Sequence, residues 1–142
     1  MIKKLSIMTQ EDKKLLLTDL CARLPYGVKV ESVFINTDLK KRKSCGIEVF
    51  DATCILMIRD GFGEFKPYLF PLSSMTEEQK KEYNMLQDVV PTYHYEYGDI
   101  VEDMELFDNW RSIDYLNANH FDYRGLIDDG LAIDATNLNI YG

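Results

Sequence analysis

The chain has 142 residues, 46% hydrophobic, 12% aromatic and 28% charged, which is the composition of a folded domain with a core and not of a disordered chain. No apolar run approaches the ~20 residues of a membrane-spanning helix, and Met1-Ile2-Lys3-Lys4-Leu5 lacks the apolar stretch of a signal peptide, so a cytoplasmic setting is expected. The formal charge of −8 disfavours docking on nucleic acid or an anionic membrane through net charge.

The first element reads as a helix over 9–24. Thr9 can cap it, Glu11 and Asp12 place negative charge in its first turn, and Leu16, Leu17, Leu20 and Leu24 share a face. Pro25 stops the helix and Gly27 permits the turn out. The β-branched run 28–36 predicts a strand. Residues 36–44, with Lys40-Lys41-Arg42-Lys43, read as a polar loop, a solvated cluster without the interleaved aromatics that would stack on bases. Residues 46–59 are apolar on both faces and predict an interior strand, and Asp60-Gly61 reads as a hairpin turn. A further strand is expected over 64–70, at a sheet edge because of Pro67 and Pro71.

Thr76-Glu77-Glu78-Gln79 is a capping box that opens a helix over 76–86. Residues 91–99 read as a loop or extended segment dense in aromatics. Asp108 or Asn109 can cap a helix over 109–119, with Trp110, Ile113 and Leu116 on one face. A short helical turn over 121–127, a short strand over 131–133 and a loose tail after Asp134 complete the chain. The expected fold is therefore α+β: a small antiparallel sheet of about three to four strands with three or more helices, in one domain spanning 1–142. Cys21, Cys45 and Cys54 show neither a C-x-x-C spacing nor an even framework, and read as buried small hydrophobes.

Three stretches carry a resemblance: Leu20-Cys21-Ala22-Arg23-Leu24-Pro25-Tyr26-Gly27-Val28-Lys29, then residues 66–78 (Lys66-Pro67-Tyr68 through Thr76-Glu77-Glu78), then residues 114–127 (Asp114-Tyr115-Leu116 through Arg124-Gly125-Leu126-Ile127). Together they resemble small uncharacterised proteins of prophages and mobile elements in Bacteroides-type gut bacteria. The resemblance implies a bacterial host cytoplasm and a phage or mobile-element origin. It implies no activity, cofactor or catalytic residue. Tyr115 stands where that pattern leads one to expect tryptophan, and Asn119 where it leads one to expect a second histidine.

Candidate chemistry is sparse. His120 and Asp122, with Arg124 beside them, could serve as a general base or a metal ligand, set against a structural reading as a helix-end histidine and a capping aspartate. Asp99, Glu102, Asp103 and Glu105, or Asp128, Asp129 and Asp134, are oxygen donors without the alternation of a calcium loop, so no metal and no cofactor is called for. No nucleophile elbow or phosphate-binding loop appears.

Charge is the most informative feature. Residues 96–142 carry 11 acids and only Arg111 and Arg124 as bases, so the whole acidic excess lies in the last third. Its acids alternate with Ile100, Val101, Met104, Leu106, Phe107 and Trp110, which suggests folded structure with an acidic outer face. Glu102, Asp103, Glu105, Asp108, Trp110 and Asp114 are the candidate partner-binding residues, for a basic protein partner or for a second copy of the chain. Three functions follow, in this order: a non-enzymatic accessory protein acting through protein–protein contact, an acidic mimic that inhibits a host nucleic-acid-binding enzyme, and a hydrolase using His120 and nearby carboxylates.

Overall fold

The computed structural model describes residues 8–36, 41–61 and 63–142, with the backbone alone at 33–36 and 41–45. The α+β class holds: four helices and two sheets are described. The chain divides into two compact units, Met1–Ser74 with His120–Gly142, and Met75–Asn119. We call them the base unit and the inserted unit.

The base unit opens with α1 (Gln10–Arg23), started by the expected cap. Thr9 accepts from the Asp12 backbone and the Asp12 side chain accepts from Thr9, which together satisfy two of the amides that a helix start leaves without partners. Leu16 and Leu20 of α1 are fully buried. They join Val28, Val30, Phe50, Cys54, Ile58, Phe65, Leu69 and Leu126 in the hydrophobic core. β1 (Lys29–Asn36) pairs antiparallel with β2 (Lys41–Val49) and with β3 (Gly63–Pro71). The short strands β6 (Phe121–Asp122) and β7 (Ile133–Asp134) both run parallel to β3. The sheet is thus mixed and five-stranded, with path β2-β1-β3-β6, and not a small antiparallel one.

Several local elements differ from expectation. Residues 46–59 are not one strand: β2 ends at Val49, and α2 (Ala52–Asp60) follows. Asp51 caps α2 by accepting from the Cys54 amide, and Gly61 closes it at φ 78°, a left-handed conformation open to glycine at little cost. Apolar residues on both faces of a short run cannot separate strand from helix, and here the caps decide. Lys41, Arg42 and Lys43 lie within β2 and not in a loop, while Lys40 lies outside the described residues. Pro67 has a strand neighbour on one side only: Gly63–Pro67 pairs with β1 alone, and β7 and β6 join β3 from Tyr68 and Phe70 onward, so the missing proline amide breaks no second ladder.

After β6, Asp122 caps a turn, accepting from the Leu126 and Ile127 amides, so 121–127 begins as strand and not as helix. The tail is anchored. Ala135 donates its amide to Leu69, and the Tyr141 hydroxyl donates to the Tyr68 carbonyl at 2.7 Å while accepting the Lys29 amide at 2.9 Å. Cys54 is buried as expected and its thiol is pushed up to about 11, chiefly by that burial, whereas Cys21 is exposed. The Cys45 side chain lies outside the described residues.

The inserted unit is α3 (Glu77–Leu86), β4 (Asp88–Glu96), β5 (Asp99–Phe107) and α4 (Trp110–Ala118). Thr76 and Gln79 form the expected capping box, and Asn109 caps α4 through the Arg111 and Ser112 amides. The Asn109 amide also donates to the Leu86 carbonyl, tying the start of α4 to the end of α3. Tyr83 of α3 stacks on Tyr115 of α4. The loop or extended segment expected over 91–99 is extended: it lies in a hairpin in full register, from Asp88–Phe107 to Glu96–Asp99.

Candidate functional site

The hairpin sorts its side chains by chemistry. Residues directly opposite one another in an antiparallel pair share a face. One face therefore carries Val89 and Leu106, Pro91 and Met104, Tyr93 and Glu102, Tyr95 and Ile100. Glu102 is its single charge. The other face carries Asp88 and Phe107, Val90 and Glu105, Thr92 and Asp103, His94 and Val101, Glu96 and Asp99, with five carboxylates. Between the strands, Tyr97 at φ 51° and Gly98 at φ 84° make the left-handed pair of a two-residue turn whose twist suits a hairpin.

Every side chain on the apolar face is exposed. Tyr95 is 79% exposed, Ile100 66%, Tyr93 65% and Met104 61%. Apolar area of this kind is normally found in a core or under a partner. The acidic face is knitted within itself. The His94 ring lies 3.2 Å from Asp103 and 3.4 Å from Glu96, and the Thr92 hydroxyl donates to Glu105 at 3.2 Å. Asp88 lies 3.7 Å from the Arg111 guanidinium.

The six candidate partner-binding residues divide among these surroundings. Glu102 falls on the apolar face, while Asp103 and Glu105 fall on the acidic one. Asp108 is engaged inside the unit, accepting from Tyr83, Gln87 and Ser112. Burial and that carboxylate push the Tyr83 hydroxyl well above the usual tyrosine range. Trp110, at the start of α4, is 78% exposed, and Asp114 is exposed further along the same helix. The other acids of the last third, Asp122, Asp128, Asp129 and Asp134, belong to the base unit, so the acidic third does not form one element. The sequence shows Glu102, Asp103 and Glu105 as charge and 91–99 as dense in aromatics, but not the β4–β5 pairing that places Glu102 opposite Tyr93 and sorts the rest onto two faces. The missed signal is the alternation Val89, Pro91, Tyr93, Tyr95 ahead of a Tyr-Gly turn.

His120, Asp122 and Arg124 lie in the base unit, each with a separate task. Both Asp122 oxygens accept backbone amides, as described above. Arg124 donates to Asp19 at 2.7 Å. Asp19 also takes two hydrogen bonds from Arg23, at 2.8 and 3.1 Å, and Arg23 donates to the Phe121 carbonyl at 2.6 Å. Asp19 and Arg23 are completely buried, so this cluster joins α1 to β6 through the interior. Tyr123 receives both guanidiniums over its ring, at 5.3 and 4.5 Å. The His120 ring stacks on Tyr141, with centroids 3.8 Å apart and 10° between planes. Burial, with Arg23 and Lys29 nearby, lowers its pKa to about 4, so it is neutral at pH 7 and a weak base. Burial likewise pushes the Tyr141 hydroxyl up to about 12. This arrangement orders the chain end and gives His120 no carboxylate to work with through Asp122.

Among the described residues, no three His, Cys, Asp or Glu side chains gather as a metal site would require, and no helix is long and apolar enough to cross a membrane. No family model matches the chain, and no curated protein and no solved structure matches it.

Proposed function

We propose that this protein is a non-enzymatic binding module that acts through protein–protein contact, with the β4–β5 hairpin as its contact element. The observation that carries this reading is the sorting of one exposed hairpin into an apolar face and an acidic face. A hairpin of two strands is marginal on its own, and one that exposes this much apolar area has its stabilising surroundings in another molecule. The acidic face suits a basic protein surface. Its carboxylates steer such a partner at long range, and salt weakens that steering.

The test is a comparative capture experiment on the full chain. Wild type and the variant Glu96→Gln/Asp99→Asn/Asp103→Asn/Glu105→Gln are immobilised side by side and exposed to host lysate at rising salt. The expected result is capture of basic proteins by wild type that fades above ~0.3 M salt and is absent for the variant. Identical capture by both chains, or capture indifferent to salt, defeats the acidic-face reading.

A further inference from the structure

We infer that the apolar face of the hairpin is a self-association surface, on which a second copy of this chain packs face to face about a two-fold axis. The inference rests on the proposal that the hairpin is the contact element, and it identifies what covers the apolar face. Three observations select a second copy.

The first is area. Val89, Tyr93, Tyr95, Ile100, Met104 and Leu106 are each between 44% and 79% exposed on one continuous face. They offer on the order of the 800 Å² per partner that a stable standard interface buries. The second is shape. The face is graded along the hairpin, with Tyr95 and Tyr93 toward the turn and Val89 and Pro91 at the far end. A two-fold axis across the strands reverses that gradient in the facing copy. Tyr95 then lies over Val89 and Tyr93 over Pro91, large against small, as interdigitating sheets require, while on β5 Ile100 lies over Leu106 and Glu102 over Met104. One patch serves both copies, which is the condition for a closed dimer.

The third is charge. Glu102 is the single charge on this face, and no base accompanies it, so nothing there selects a charged partner. The opposite face carries Asp88, Glu96, Asp99, Asp103 and Glu105, which would repel their counterparts in a like copy. Two copies therefore meet by the apolar faces alone. The assembly closes at two and leaves both acidic faces outward.

The experiment is sedimentation of the full chain at concentrations up to about 100 μM, a range in which an interface of this size is populated. Wild type is expected at twice its monomer mass of 16.5 kDa, with little change across a salt series. Tyr95→Lys/Ile100→Lys should run as monomer at every concentration while its circular dichroism matches wild type, and it should lack the rise of melting temperature with concentration that the wild-type dimer shows. Glu102→Leu removes the one desolvated carboxylate and should tighten the dimer, by roughly tenfold, a gain that a misfolded variant would not show. The acidic-face quadruple variant should remain a dimer. A monomeric wild type overturns the inference, as does a dimer that survives the lysine pair or dissociates in the acidic-face variant. Those results leave the capture experiment intact. Loss of capture by itself leaves the dimer intact, so the two readings fail separately.

Discussion

In the base unit the core residues Leu16 and Leu20 of α1, Val28 and Val30 at the start of β1, and Phe65 and Leu69 of β3 are at most 1% exposed. On the hairpin of the inserted unit the same kinds of residue lie open, over two strands of nine residues each. One chain thus holds two opposite treatments of apolar surface. The difference separates two jobs that composition lumps together. The buried hydrophobic residues of the base unit hold the fold; those on the hairpin contribute little to it and are available for contact.

The contrast makes graded predictions. The largest effect belongs to the buried cluster. Asp19→Ala leaves the guanidiniums of Arg23 and Arg124 without their carboxylate, and should cost about 3–5 kcal/mol of folding free energy, read from urea unfolding. A loss below about 1 kcal/mol would mean that the cluster is not interior in solution.

Second is a pH dependence. His120 has a folded pKa of about 4, below its ordinary value of 6.5. The unfolded chain therefore binds a proton first as pH falls. The stability contributed by the neutral ring is fully present above pH 6.5 and is lost as pH drops from 6.5 toward about 4. His120→Phe keeps a ring against Tyr141 but cannot titrate, so its stability should fall less over that window. Parallel curves for the two chains would remove His120 from the account.

Third is Thr76→Ala at the start of α3, which removes a cap and should cost about 1 kcal/mol in the same unfolding measurement. Fourth is the hairpin itself. At concentrations low enough for both chains to be monomeric, Tyr95→Lys/Ile100→Lys should change folding stability by no more than about 0.5 kcal/mol. A core substitution such as Leu20→Ala should cost about 2–5 kcal/mol. If the two costs were equal, the contrast between the units would collapse. Smallest is the turn. Tyr97→Asn places a residue that tolerates φ 51° before Gly98, and should slow hydrogen exchange of the hairpin amides by a few tenths of a kcal/mol.

Much of the fold could be read from residues that punctuate it. Thr9, Thr76 and Asn109 each announce a helix, and each caps one, because a capping side chain acts on its own local backbone. β1 and β3 were legible from their β-branched and aromatic runs. What escaped depends on distant partners. Residues 52–60 carry no local periodicity that separates helix from strand, so Asp51 and Gly61 were the deciding signals. The parallel pairing of β6 and β7 with β3 links residues far apart in sequence, and two-residue strands leave no pattern. Of the candidate site, the acids of β5 were visible as charge. Their division between two faces was not, since it depends on the register with β4. His120, Asp122 and Arg124 are adjacent in sequence yet serve Tyr141, the backbone and Asp19 respectively.

The chain leaves the base unit after Ser74 and returns at His120, where Phe70 donates its amide to the His120 carbonyl and β6 continues parallel to β3. Parallel neighbours cannot be joined by a tight turn and need a long return path. Here that path is not a bare crossover helix but a structure with its own sheet. The two ends of the excursion are set by the base unit alone, and loop-closure cost grows only slowly with length. The return path is therefore a socket: its occupant can change in size and surface chemistry while the strands on either side keep their register. Evolution could rewrite what this protein touches without rewriting what makes it fold.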